Sequence, residues 1–173
     1  SSSGLLTRVT TPVQTIDYEY IDGRGNRTGT RVTASAGQEI TAYTYDAANR
    51  LLTETNPLGQ VTTFAYDAAG NRASKRDGKG TLTTYNYDSA RRLTGVTFAD
   101  GSTYAFTFDA LGRRLSEASA THSRTLAYDD AGRVTSVTDG STGAAIESSY
   151  DAEGRRTRVR EGGVAREVEY DAR

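Results

Sequence analysis

The chain has 173 residues, 35% of them apolar, and a net charge of −1 from 21 basic and 22 acidic side chains. That balance leaves no basic footprint for nucleic acid, no apolar run approaches the ~20 residues needed to span a bilayer, and the lack of cysteine excludes disulfides and thiolate metal sites. So lean an apolar fraction raises disorder as a reading, but 11 Tyr, 4 Phe, strict turn chemistry and near-zero charge favour thin folded sheets lined by Tyr and Thr.

In chain order, Ser1-Ser2-Ser3-Gly4 resembles a cloning scar. No Met occurs and the last residues, Tyr170 to Arg173, stop inside a motif, so the chain is expected to be a fragment of a longer array. Leu5 to Ile16 contains Pro12 and lacks that motif. Residues 1–16 are therefore expected to form an N-terminal edge or cap segment, and residues 17–173 an array of about seven repeats, the last truncated. The motif is an aromatic residue followed by aspartate. Its aspartates are Asp22, Asp46, Asp67, Asp88, Asp109, Asp129, Asp151 and Asp171, at intervals of 24, 21, 21, 21, 20, 22 and 20 residues. A fixed period of this size marks a repeat protein. Such a chain builds a surface or a wall rather than a single reaction centre.

One repeat predicts two strands and two turns. Leu93 to Phe98 is rich in β-formers, Ala99-Asp100-Gly101-Ser102 reads as a hairpin with both central residues at φ > 0, and Thr103 to Phe108 is the return strand. Asp109-Ala-Leu-Gly112-Arg113 then turns the chain into the next hairpin. The other distal turns vary, from Asn56-Pro57-Leu58-Gly59 and Asp77 to Gly80, through Asp139 to Gly143, to Glu161-Gly-Gly-Val164. The fold class is thus all-β: tandem antiparallel β-hairpins of about 21 residues, two strands each, in a continuous curved or spiralling sheet.

Return strands alternate with period 2, placing Tyr43 and Tyr45, Phe64 and Tyr66, Tyr85 and Tyr87, then Phe106 and Phe108 on one face. Tyr128 and Tyr150 continue the series beside Leu126 and Ser148, so the C-terminal third is expected to be looser. The rings are expected to stack into ladders between hairpins, each pair contributing roughly 0.5–1.5 kcal/mol. The motif aspartates are expected to cap their turns through backbone N–H groups two or three residues on. Three residues after each Asp stand Gly25, Asn49, Gly70, Arg91, Gly112, Gly132 and Gly154. Six of these seven tolerate a left-handed backbone. Arg91 would be strained there by roughly 1–2 kcal/mol, so its turn is expected to differ. An arginine follows each time, Arg27, Arg50, Arg72, Arg92, Arg113, Arg133 and Arg155. Each is expected to pair with a motif Asp or a Tyr hydroxyl of a neighbouring hairpin.

The stretches Tyr43-Thr-Tyr-Asp-Ala-Ala-Asn-Arg-Leu51, Tyr85-Asn-Tyr-Asp-Ser-Ala-Arg-Arg-Leu93 and Phe106-Thr-Phe-Asp-Ala-Leu-Gly-Arg-Arg114 resemble the YD repeat of the RHS family, and the copies at Tyr66-Asp67, Tyr128-Asp129 and Tyr150-Asp151 agree. Tyr18 to Arg27 is a degenerate copy with Ile21 in the Tyr place. The resemblance implies an open fragment of a β-sheet shell. In bacterial RHS proteins and insecticidal toxin complexes such a shell encloses a C-terminal toxin, and in teneurins a similar shell serves cell-surface adhesion. It implies a secreted or bacterial-surface location within a larger protein, with the rest of that RHS chain and its toxin domain as partners. The family's autoproteolytic core region has no counterpart here, so no cleavage residue carries over.

No catalytic, metal or cofactor site is expected, and no enzyme activity. His122 is the only histidine and falls where a hairpin tip is expected. The motif aspartates do not follow a calcium-loop pattern, and the adjacent arginine opposes a cation. The alternative function is a carbohydrate-binding or adhesive module, with exposed Tyr rows stacking on sugars. Two open sheet edges also suggest edge-to-edge self-association.

Overall fold

The computed structural model describes residues 4–168 and Tyr170; the three serines of the scar-like start and Asp171 lie outside the described residues. Sixteen strands and no helix make up the described chain. They are β1 (Arg8–Thr10), β2 (Gln14–Glu19), β3 (Gly29–Ala34), β4 (Gly37–Tyr45), β5 (Leu51–Thr55), β6 (Val61–Tyr66), β7 (Arg72–Arg76) and β8 (Leu82–Tyr87). There follow β9 (Leu93–Thr97), β10 (Thr103–Phe108), β11 (Arg114–Ala118), β12 (Ser123–Tyr128), β13 (Val134–Asp139), β14 (Ala145–Tyr150), β15 (Arg156–Glu161) and β16 (Val164–Glu167). Strand order in the sheet is chain order, β1 to β16. This is the all-β array of tandem antiparallel hairpins that the period predicts.

The chain divides into two compact units, one ending at Thr84 and one beginning at Tyr85, so the boundary falls inside β8. In the first, β1 is an edge strand whose Val9 faces Ile16 of β2, with Pro12 in the turn between them. β3 and β4 run in unbroken register from Gly29↔Ala42 to Ala34↔Gly37. In the second, β16 pairs with β15 from Arg158↔Glu167 to Glu161↔Val164.

Most motif turns are flanked by a β-bulge. Thr44 faces Thr53 but Tyr45 faces Leu51, so Leu52 is extra. The same shift leaves Ala73, Leu115, Thr135 and Thr157 extra in β7, β11, β13 and β15. A bulge bends and twists its strand and re-aims the neighbouring side chains. Hydrophobic periodicity carries no sign of it.

One sheet layer cannot enclose a core, and among the described residues no hydrophobic side chain is buried. Burial instead alternates along the return strands. Tyr45, Tyr66, Phe108, Tyr128 and Tyr150 are half-buried, while Thr44, Ala65, Thr107, Ala127 and Ser149 on the opposite face are exposed. The C-terminal strands keep the same ladder as the rest, with Ile146↔Glu161 through Tyr150↔Arg156 paired around one bulge.

The expected ring-on-ring ladders are not what joins the hairpins. The ring pair found among the described residues is Phe98–Tyr104, 6.1 Å apart at 82°, and it lies within one hairpin. Guanidinium groups lie over the rings instead.

Candidate functional site

The repeated acidic turn is the most regular feature of the molecule. At Asp46 the backbone N–H donates to the Arg50 carbonyl (2.9 Å), and the Asn49 N–H donates to the Asp46 carbonyl (3.1 Å). This is a type I turn closed by a left-handed residue, here Asn49 at φ 61°. Carboxylate Oδ1 accepts the N–H groups of Ala48 (2.8 Å) and Arg50 (2.9 Å), while Oδ2 accepts Arg50 Nε at 2.7 Å. The cap therefore reaches two and four residues on, not two and three. Asp88 with Arg92, Asp109 with Arg113, Asp129 with Arg133 and Asp151 with Arg155 repeat the Nε–Oδ2 bond at 2.6–2.7 Å. Each arginine pairs with the aspartate of its own turn, rather than with one from a neighbouring hairpin.

The rest of the same guanidinium reaches the next turn. Nη1 of Arg92, Arg113 and Arg133 donates to the backbone carbonyls of Asp109, Asp129 and Asp151 at 2.9, 3.0 and 2.9 Å. The planes of Arg50, Arg92, Arg113, Arg133 and Arg155 lie over the rings of Tyr66, Phe108, Tyr128, Tyr150 and Tyr170, 4.6–4.9 Å from the centroids. The glycine of the next turn borders the slot. A Cβ at Gly70, Gly112, Gly132 or Gly154 would lie 3.6–3.9 Å from the preceding arginine's Nη1. A planar, delocalised cation suits this slot, since it offers a face to the ring and edge N–H groups to oxygen.

The tyrosine hydroxyls bond to the backbone, not to arginine side chains. Tyr45, Tyr66, Tyr128, Tyr150 and Tyr170 donate to the carbonyls of Arg27, Leu51, Arg114, Val134 and Arg156 at 2.8–3.0 Å. Burial pushes the Tyr45 hydroxyl pKa up. Phe108 has no hydroxyl and takes part only through its ring.

Hydrogen bonding holds the motif carboxylates below the usual carboxylate range. At Asp46, Asp88 and Asp129 the largest cause is the N–H of Arg50, Arg92 and Arg133. At Asp67 it is the side chain of Asn71. At Asp109 and Asp151 partial burial opposes the shift, and the bonds from Arg113 and Arg155 outweigh it.

Two turns depart from the pattern. After Asp67 the fourth residue is Asn71, whose Nδ2 donates to Oδ2 at 2.9 Å. Arg72 stands one place later and lies over Phe64 of its own repeat, 4.8 Å from the centroid. After Asp22, Asn26 plays the same part (2.6 Å), and Arg24 from inside the turn donates to the Asp46 carbonyl at 2.8 Å. Arg27 lies over Tyr43 at 4.9 Å. Sequence reasoning misses Asn26, Asn71 and Arg24, although the shift of arginine from the fourth to the fifth place is visible there. Arg91 does not force a different turn. It takes the left-handed conformation at φ 62°, and the Arg91 N–H still donates to the Asp88 carbonyl at 2.9 Å. Tyr87 is half-buried at the end of β8. His122 closes the Ser119 turn, its Nδ1 3.9 Å from Asp139 Oδ2.

Fold and turn together define a β-hairpin repeat protein whose hairpins are cross-linked along the motif edge within each unit. The sequence profile of the RHS repeat matches residues 29–60, 45–82, 70–103, 92–125 and 128–165, more than half of the chain. The chain belongs to the RHS repeat family. Its fold is similar to that of a chain in a crystal structure of TcdB2-TccC3, with a TM-score of 0.55, 16% identity, and coverage of 92% of this chain and 12% of that one. The TcdB2-TccC3-Cdc42 crystal structure gives 0.54, 16%, 92% and 12%. The Photorhabdus luminescens Tc holotoxin pore gives 0.53, 16%, 91% and 11%. The chain thus spans about an eighth of these neighbours' length. No match is found among curated proteins.

Proposed function

We propose that this chain is a non-catalytic segment of structural wall in a longer RHS protein, secreted or displayed at a bacterial surface, whose shell encloses a C-terminal toxin. The observation that carries this reading is the guanidinium slot. Each slot commits its guanidinium to holding two successive hairpins together, which is what a wall requires of a repeat. The motif residues are structural on this reading: Asp caps, Gly or Asn permits the left-handed turn, and Tyr or Phe supplies the ring for Arg. One fold neighbour is a Tc holotoxin pore by name, which supports the enclosed cargo. The glycan alternative gains nothing from the motif rings, whose faces carry arginine.

Limited proteolysis of the full-length parent chain, read by mass spectrometry, tests the proposal. A C-terminal region should be protected, and should become cleavable when Arg50, Arg92, Arg113, Arg133 and Arg155 are replaced together by Ala. Equal cleavage with and without the arginines would remove enclosure from the reading.

A further inference from the structure

The half-buried face of the second unit carries a hollow lined by Val134, Val137, Ile146, Ser148, Tyr150 and Arg156, among others. The repeat explains why it is there. In six successive repeats the residue three places before the motif aspartate is Tyr43, Phe64, Tyr85, Phe106, Leu126 and then Ser148. Only the last of these six is too small to fill the position.

Arg156 faces Tyr150 in the ladder, as Arg72 faces Tyr66 and Arg114 faces Phe108. Arg72 lays its guanidinium over Phe64 at 4.8 Å. Arg114 instead pairs with the Glu117 carboxylate at 2.9 Å. In the last repeat Ser148 stands where Phe64 does and Val159 where Glu117 does. Both partners that occupy the equivalent guanidinium elsewhere are gone. The ion pairs of β15 among the described residues, Arg158–Glu167 and Arg160–Glu147, leave Arg156 out. The arginine is exposed beside this hollow, whose apolar residues include Val137 and the 44%-exposed Ile146, and which Arg124, Asp139 and Glu161 also line.

We propose that this hollow is a binding site for an aromatic carboxylate. The ring takes the place left by the missing aromatic side chain, against Val137, Ile146 and Tyr150, and the carboxylate pairs with Arg156 in the place of the missing glutamate. A guanidinium can serve a ring and a carboxylate together, as Arg113 does with Tyr128 and Asp109. The inference stands on this chain's own repeats and is independent of any toxin cargo.

The test is a titration of the whole isotope-labelled chain with 3-phenylpropanoate, followed by amide chemical shifts. Saturating shifts are expected at Ile146, Ser148 and Arg156. Propanoate, which lacks the ring, and 3-phenylpropan-1-ol, which lacks the charge, should each bind at least about fivefold more weakly, because each omits one of the two contacts. Ser148→Phe puts a ring of the chain's own into the hollow; it should abolish the shifts and raise the melting temperature. Arg156→Gln, a change at an exposed side chain, should weaken binding about fivefold and keeps the test alive if Ser148→Phe does not fold. No saturating shift at these residues up to the solubility limit, or a titration unchanged in Arg156→Gln, overturns the proposal.

Discussion

The turns at the two ends of β10 have the same backbone and different neighbours. Before the strand, the Phe98 N–H donates to the Ser102 carbonyl and the Gly101 N–H to the Phe98 carbonyl, with Gly101 at φ 82°. After it, Asp109 bonds to Arg113 and Gly112 to Asp109 in the same pattern, with Gly112 at φ 84°. Closing a hairpin thus needs only the left-handed residue and the paired backbone groups. What the motif end adds is reach, since Arg113 goes on to Asp129 and Tyr128. At the distal end, Asp77 caps Lys79 and Thr81 as a motif aspartate would, but Arg76 bonds back to Gly80 of the same turn. Without a guanidinium slot to hold, distal turns vary in length, from the two-residue Gly162-Gly163 turn to the longer loop from Asp139 to Ala144. The motif turns cannot vary so freely without pulling a guanidinium out of its slot.

The largest effect is expected from a β-branched residue at the left-handed position. Gly112→Val and Gly101→Val both force an unfavourable φ, costing about 1–3 kcal/mol. Gly112→Val should cost more, because its Cβ would already touch Arg92 Nη1 at 3.8 Å and its branches must fit beside the slot, whereas nothing lies within 4 Å of a Cβ at Gly101. Urea unfolding of the two variants measures the difference. Equal losses would mean that the slot adds nothing to the turn.

Next come the caps. Asp109→Ala removes the acceptor of two N–H groups and the partner of Arg113, whereas Asp77→Ala removes only local bonds. A melting temperature several degrees lower for Asp109→Ala than for Asp77→Ala is expected. Acid probes the same groups. The folded chain holds the motif carboxylates below their ordinary value of 3.8, so their stabilisation is complete above that pH. It should be lost as pH falls through the lower, folded values. Stability that stayed flat from pH 5 down to pH 2 would contradict the caps.

The period makes the hairpins, both sets of turns and the left-handed glycines legible, because each depends on residues adjacent in sequence. Contacts between repeats are only half legible. The series Arg50, Arg92, Arg113, Arg133 and Arg155 announces a pairing but not its partners, because two of the three are backbone or own-turn atoms. A backbone carbonyl such as that of Asp129 has no residue type to notice. The bulge is hidden for a related reason. Its extra residue is Leu52, Ala73, Leu115, Thr135 or Thr157, and these side chains share no property. The distal Asp100-Gly101 pair suggests two residues at φ > 0, but only Gly101 adopts it. The turn starts one residue earlier than that pair suggests, at Phe98.

Arg113→Lys sharpens the comparison by keeping the charge while removing the fork. An ammonium can reach Asp109 or lie near Tyr128, but it cannot bond carboxylate and carbonyl through its edge while laying a flat face on the ring. A loss of roughly 1–2 kcal/mol is expected, close to that of Arg113→Ala. Amide exchange should quicken around Asp129 and Gly132 and stay unchanged at the distal Gly101 turn. Full rescue by lysine would reduce the slot to a simple ion pair.

The smallest effect is a gain. Arg91 occupies the position that glycine fills in the Asp109, Asp129 and Asp151 turns, and does so at φ 62°. Its left-handed backbone costs roughly 1–2 kcal/mol, while glycine there would lose about 0.5–1 kcal/mol through a more flexible unfolded chain. The two effects oppose, so Arg91→Gly should raise stability by about half a kcal/mol or slightly more. Arg92 stays in place, because its Nε bond to Asp88 and its contact with Phe108 do not involve the neighbouring side chain. The same substitution at Asn49, φ 61°, should gain less, since asparagine tolerates this conformation better than arginine. A melting temperature that fell in Arg91→Gly would show that the Arg91 side chain makes a compensating contact in solution strong enough to outweigh its backbone strain.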